Sequence, residues 1–183
     1  MEVEVVSKEF VKSSRPTPNH LKIHKLSLLD QFVPTNYVPL VLFYTIEEAD
    51  RATTTPTRIV QLLKQSLSET LMLFYPLAGK INGDGLSIEC DDEGVLLVEA
   101  RAKFTLSRLL HRPDFKTIGK LLPCTAAWRR AGAGDRVAMV QATAFPCGGV
   151  AVGVLVSHAT MDCASFTTFL KGRSSHTKPP QNP

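Results

Sequence analysis

The sequence lacks the features that mark several functional classes. Its longest apolar run, residues 147–156, is about half the length that a membrane-spanning helix requires. The first residues show no basic segment followed by an apolar one, so we expect no secretory signal peptide. Neither G-x-G-x-x-G nor G-x-x-x-x-G-K-[ST] occurs, so the sequence gives no support for binding of nucleotide phosphates.

Metal-binding or redox cysteine motifs and a large net charge are lacking as well. None of the four cysteines forms C-x-x-C, and none pairs with a histidine at zinc-finger spacing, which predicts a reduced, cytoplasmic location. The net charge is +4, and three of these charges lie within residues 171–183. The rest of the chain is therefore nearly neutral, and we expect neither a nucleic-acid nor a membrane partner. The terminal segment is polar and rich in proline, which predicts a disordered tail.

What the sequence does contain predicts a mixed α/β fold with an α+β-like order of elements. Apolar residues recur every three to four positions over 56–74, which predicts a helix with Thr55 as its N-cap. Residues 119–135 are predicted to be mostly loop, and residues 20–32 a short extended piece and a loop. Strands are expected at 2–11 with one solvent-exposed face, at 37–44 on a sheet edge or with a bulge, within 77–100, at 136–145 and at 149–156. Short helices are expected at 105–111 and from 163. This order indicates a mixed β-sheet flanked by helices.

His158 and Asp162 form the pattern H-x-x-x-D directly after the last predicted strand. That strand is apolar on both faces, which is typical of a central strand. The ends of buried strands often present catalytic side chains, and a neutral imidazole there can take a proton from a hydroxyl or an amine. Asp162 also stands where the following helix needs an N-cap.

The residues alone leave other interpretations of His158 open. It can be an ordinary structural histidine, since H-x-x-x-D is a short pattern. Its spacing to Asp162 also suits two metal ligands, although no third ligand lies near in the sequence. A hydrolase triad would need Ser157 or Cys163 as nucleophile, but neighbours on a strand such as Ser157 and His158 point to opposite faces. His20 and His24 share the spacing of four, but Pro16 and Pro18 predict extended backbone there.

Four stretches occurring in order carry a resemblance to a known family. They are HKLSLLDQ (24–31), FYPLAGKI (74–81), ECDDEGVLLVEA (89–100) and FPCGGVAVGVLVSHATMD (145–162). Together they resemble the N-terminal half of the plant BAHD acyltransferases, an HxxxD-type family, and in particular its vinorine-synthase-like branch.

The resemblance implies an acyltransferase that moves an acyl group from a coenzyme A thioester to an alcohol or amine of a plant secondary metabolite. Acyl-CoA, such as acetyl-CoA, would be a co-substrate, with no bound cofactor and no metal. The implied fold is similar to chloramphenicol acetyltransferase, with two domains and a channel between them. His158 would be the general base in that channel. Asp162 would be structural, with its carboxylate pointing away and holding the loop through a basic partner.

The sequence also departs from the family pattern. Family members are roughly twice as long, Cys163 stands where they usually have glycine, and their D-F-G-W-G motif is absent here. We therefore expect an N-terminal acyltransferase domain at 1–170, a divergent tail at 171–183 and a truncated product. The missing second domain would leave an exposed, partly apolar interface. The alternative is a non-catalytic truncated fragment or a partner-binding pseudoenzyme.

Overall fold

Eight strands form in the part of the chain that the computed structural model describes, namely residues 1–45, 55–124, 130–162 and 164–169. The helices of this part are α1 (Leu28–Gln31), α2 (Pro56–Leu73), α3 (Leu106–His111), α4 (Phe115–Gly119) and α5 (164–169). The strands are β1 (Val3–Val11), β2 (Ile23–Lys25), β3 (Tyr37–Tyr44), β4 (Lys80–Ile81), β5 (Ser87–Glu89), β6 (Val95–Ala102), β7 (Ala138–Ala144) and β8 (Val150–Ser157).

The strands form one large and one small sheet. The large sheet has the order β1-β6-β7-β8-β3, with β6 and β7 parallel and the other pairs antiparallel. The small sheet has the order β2-β5-β4. The predicted mixed sheet is confirmed. All residues of β8 are buried, and this strand lies between β7 and β3, as its continuous apolar sequence predicts.

The strand β3 lies at one edge of the large sheet, where proline is tolerated. Pro39 has no backbone N–H to donate, and it pairs in register with Leu155 of β8. The strand β1 lies at the other edge, and its side chains are exposed on both faces apart from its two end residues. The expectation of a single wet face for β1 is therefore wrong, because an edge strand is covered by fewer neighbours.

The long helix α2 packs its apolar side against the large sheet. It begins as predicted, with the Thr55 hydroxyl accepting a hydrogen bond from the Arg58 N–H at 3.2 Å and with a proline in the first turn. Lys64 forms ion pairs with Glu9 of β1 and Glu99 of β6, which holds the helix over these strands. The buried residues of α2 are Val60, Leu63, Ser66, Leu67, Thr70 and Leu71.

A second apolar cluster lies on the face of β8 that is opposite to α2. Ala151 belongs to this cluster, whereas Val150 and Val152 belong to the cluster that contains α2. Neighbouring residues of a strand point to opposite faces, so the two clusters sandwich the sheet. The second cluster comprises Ala102, Phe104, Leu106, Leu109, Leu121, Phe145 and Ala151. The predicted helix over 105–111 is confirmed as α3, capped by Thr105.

Two short helices were not predicted. The helix α1 falls where we expected a loop, and a reciprocal cap stabilises it: the Ser27 hydroxyl accepts from the Asp30 N–H, and the Asp30 carboxylate accepts from the Ser27 N–H. The helix α4 begins at an Asp114 cap just before the predicted loop. The predicted boundary at residue 170 and the tail lie outside the described residues.

Candidate active site

The strand β8 delivers His158 to the end of the large sheet. Tyr37 of β3 lies opposite Ser157, the last residue of β8. One residue further, the His158 N–H donates to the Asn36 carbonyl oxygen at 3.0 Å. Ser157 is fully buried, whereas the His158 side chain is exposed. The main chain of His158 is therefore fixed by the sheet while its imidazole faces solvent.

The turn after His158 is anchored by apolar side chains. The Thr160 N–H donates to the Ser157 carbonyl at 3.0 Å and closes the turn. Ala159 and Met161 are buried, at 5% and 8% exposure. Because these two side chains are fixed in the core, the turn keeps His158 on the outside.

Asp162 caps the helix α5. Its carboxylate accepts a hydrogen bond from the Ser165 N–H at 2.7 Å, and the Phe166 N–H donates to the Asp162 carbonyl at 2.9 Å. The backbone N–H of Ser165 lowers the pKa of Asp162 most, and the charge of nearby His158 adds to this effect. The cap expected from the sequence is thus present, and the basic partner implied by the family stays a prediction.

The helix α5 is attached to the end of α2 through aromatic rings. Phe169 is buried and meets Phe74 edge to face, with ring centroids 5.5 Å apart. Phe166 stacks against Phe169 at 6.2 Å. The loop from His158 to Asp162 is therefore held at both ends, by the sheet on one side and by this aromatic contact on the other.

Two buried oxygen atoms beside His158 have no hydrogen-bond partner in the part of the chain that the structure describes. They are Oδ1 of Asn36 and Oγ of Ser157. Such atoms are uncommon in folded proteins and often mark functional positions. The sequence analysis did not single out Asn36, because its position beside His158 depends on the register between β3 and β8.

The alternative interpretations of His158 find little geometric support. Ser157 is buried and His158 exposed, so the structure does not bring them together as a dyad, and Cys163 lies outside the described residues. His20 lies in a 3-10 turn, whereas His24 lies on β2 beside the Tyr75 ring. Across the described ranges, no group of three histidine, cysteine or acidic side chains is placed to bind a metal ion. The expectation that the protein binds no metal stays a prediction.

His158 stands on an open surface. A cavity of about 310 Å³ lies between the start of α2 and strands β6 and β7, and another of about 250 Å³ lies beside Tyr75; His158 lines neither. Within the described residues, no helix is long and apolar enough to span a membrane.

Solved structures with the same fold define the class of this protein. Vinorine synthase superposes with a TM-score of 0.83 at 37% sequence identity, covering 96% of this chain and 42% of that chain. TRI101 of F. graminearum, complexed with coenzyme A and T-2 mycotoxin, superposes with a TM-score of 0.60 at 17% identity, covering 86% of this chain and 40% of that chain. The chain thus has the acyltransferase fold that the sequence predicts.

Sequence comparison identifies the family. A family model described as the Transferase family matches residues 1–180. Akuammiline synthase 2 of Alstonia scholaris is 39% identical over 171 residues, which cover 93% of this chain and 37% of that protein. Limonoid 7-O-acetyltransferase of Citrus sinensis is 43% identical over 182 residues, which cover 93% of this chain and 39% of that protein. The chain belongs to the transferase family of BAHD acyltransferases.

The chain spans about two-fifths of the length of these relatives, 37% and 39% respectively. The predicted resemblance to the N-terminal half of the family is confirmed.

Proposed function

We propose that this chain supplies the histidine-bearing half of an acyl-CoA-dependent acyltransferase. The enzyme would transfer an acyl group from a coenzyme A thioester, such as acetyl-CoA, to an alcohol or amine of a plant secondary metabolite. The observation that carries the proposal is the exposed imidazole of His158 at the end of a buried strand, in a chain that belongs to the BAHD family. The acetyltransferase name of the Citrus relative and the coenzyme A bound to TRI101 support the donor.

In this proposal His158 is the general base. Its neutral imidazole takes the proton of the acceptor hydroxyl while the hydroxyl oxygen attacks the thioester carbonyl carbon. The carbonyl electron pair moves to oxygen and gives a tetrahedral oxyanion, which hydrogen-bond donors must stabilise. When this intermediate collapses, the carbon–sulfur bond breaks and the imidazolium returns the proton to the thiolate of coenzyme A. No covalent acyl-enzyme is required.

Asp162 has a structural role in this proposal. Its carboxylate is used to cap α5, with the Ser165 N–H as donor, so it orients the loop and does not relay the proton. We place the catalytic domain at residues 1–170, as the sequence predicts.

A second wall would complete the channel over His158. Leu28, Leu29 and Phe32 on and next to α1 are 75%, 80% and 86% exposed, which supports the expectation of a partly apolar interface. The acceptor and most coenzyme A contacts would then depend on the sequence that the relatives have beyond the matched region. We therefore expect slow transfer by this chain alone, because water reaches the base and the substrates are poorly positioned.

The test uses the purified 183-residue chain with radiolabelled acetyl-CoA and a panel of alcohols and amines. We expect acylated product from the wild-type chain and a loss of about 10²-fold or more in His158→Ala. His20→Ala is the matched control, because His20 is also exposed but lies in the 3-10 turn at Asn19–Leu21; its activity should equal that of the wild type.

Two results would contradict the proposal. If His158→Ala is as active as the wild type, His158 is not the base. If the folded wild-type chain acylates none of the acceptors, the alternative of a non-catalytic fragment or partner-binding pseudoenzyme is favoured for this chain.

A further inference from the structure

The pairing of β3 with β8 makes Asn36 and His158 cross-strand neighbours. Tyr37 lies opposite Ser157, and the His158 N–H donates to the carbonyl of Asn36, which continues the same register by one residue. Side chains directly opposite each other in an antiparallel pair lie on one face, with Cβ atoms about 4.5–5.5 Å apart. The carboxamide of Asn36 is therefore within side-chain reach of the imidazole of His158.

The carboxamide oxygen of Asn36 is available as an acceptor. Oδ1 is buried and receives no hydrogen bond from any described residue, which is an unfavourable state for a buried polar atom. The main chain of Asn36 is held on both sides, by the bond from His158 and by a β-bridge to Arg130. The main chain thus holds Asn36 beside His158, and its buried Oδ1 lacks a donor among the described residues.

We propose that Asn36 is a positioning residue for His158, with its Oδ1 accepting a hydrogen bond from the imidazole Nδ1–H. In a neutral histidine, the hydrogen bond made by one ring nitrogen determines which nitrogen carries the proton. With Nδ1–H bound to Asn36, Nε2 keeps its lone pair and faces the solvent side, where an acceptor hydroxyl would arrive. The exposed ring of His158 closes this contact by side-chain rotation, which takes picoseconds to nanoseconds at exposed positions.

The catalytic part of this inference rests on the proposed function, but the hydrogen bond itself does not. The experiment therefore reads the imidazole directly. Side-chain ¹⁵N NMR of the whole chain, at a pH where the ring is neutral, distinguishes the Nδ1–H from the Nε2–H form. We expect the Nδ1–H form of His158 to be the majority in the wild type and the minority in Asn36→Ala. Asn36→Asp keeps an acceptor at the same place and should restore the Nδ1–H majority.

Ser157→Ala is the matched control. It removes the other of the two unpartnered oxygens beside His158, but Ser157 points to the opposite face from His158, so the form of the His158 ring should not change. Hydrogen exchange of the His158 amide checks that the strand pairing survives. Its bond goes to the main chain of Asn36, so protection should be equal in the wild type and all three variants.

A wild-type His158 that is mainly Nε2–H would overturn the inference. An equal tautomer population in the wild type and in Asn36→Ala would do the same. Where transfer is measurable, Asn36→Ala should lower kcat on the order of 10²-fold with little change in KM, and Asn36→Asp should recover part of the loss. A chain with no transfer activity but with the expected tautomers would contradict the proposed function and leave the role of Asn36 standing.

Discussion

Gly153 is the position in β8 at which the packing of the sheet can be tested most directly. A Cβ at Gly153 would lie 2.0 Å from the carbonyl oxygen of Leu121 and 3.0 Å from its carbonyl carbon. The backbone of Gly153 is not in the left-handed region, so the requirement for glycine there is steric. We predict that Gly153→Ala destabilises the chain because the added methyl group collides with the main chain.

The size of the destabilisation in Gly153→Ala depends on how far the atoms around Gly153 can move. An ordinary contact needs about 3.4 Å, so the Leu121 carbonyl and β8 would have to separate by more than about 1 Å. Leu121 is fully buried, and β8 is hydrogen-bonded on both sides. Overpacking a core costs about 1–3 kcal/mol, and we expect a loss near the upper end, about 3 kcal/mol. With a urea m-value of about 2 kcal/mol per molar, the unfolding midpoint falls by about 1.5 M.

The assay is urea unfolding followed by circular dichroism, with Gly83→Ala as the matched control. A Cβ at Gly83 meets nothing within 4 Å, so this variant should stay within about 0.5 kcal/mol of the wild type. If Gly153→Ala also stays within that range, the close approach of Leu121 to β8 is refuted.

Two further predictions concern ionisable groups. Burial raises the pKa of Asp92, but hydrogen bonds from Lys22 and Thr17 outweigh it and hold the pKa below its ordinary value. The resulting stabilisation is complete at pH values above the pKa that the Asp92 carboxyl has in the unfolded chain. It is lost as the pH falls through the pKa of this carboxyl in the folded chain. As the pH is lowered from 6 to 3, the urea unfolding midpoint should therefore fall less steeply in Asp92→Asn than in the wild type. Equal slopes in the two chains would contradict this prediction. Burial also raises the pKa of Cys90 to about 11, so iodoacetamide at pH 8 should modify Cys90 only in the urea-unfolded chain. Rapid labelling of Cys90 in the folded chain, located by mass spectrometry of its peptides because Cys124 and Cys147 are partly exposed, would contradict this.

The elements that the sequence predicts well are those with a strong and local signal. The helix α2 has a long apolar period and an N-cap, and the strand β8 has an apolar run that only a doubly covered strand can bury. Both were predicted to within a residue or two of their ends. The family was predicted from four motifs that occur in order, and the comparisons confirm the family.

The elements that were missed depend on few residues or on distant contacts. The helices α1 and α4 span four and five residues, too few for a periodic pattern, and they depend on side-chain caps at Ser27 and Asp114. The pair S-x-x-D at Ser27 and Asp30 was a usable signal for α1. The neighbourhood of Asn36 and His158 had no such signal, because it arises from the register of two strands far apart in the chain.

The contacts that fix the His158 loop all lie within this chain. The Asn36 carbonyl holds the main chain of His158, Asp162 caps α5, and Phe169 packs α5 against Phe74. Under the proposed function, positioning of His158 as the base would therefore not require a second domain, whereas enclosure of the substrates would, since the imidazole is exposed. Under the same proposal, this chain alone should show weak substrate binding and poor water exclusion, while the geometry of the His158 loop should be intact.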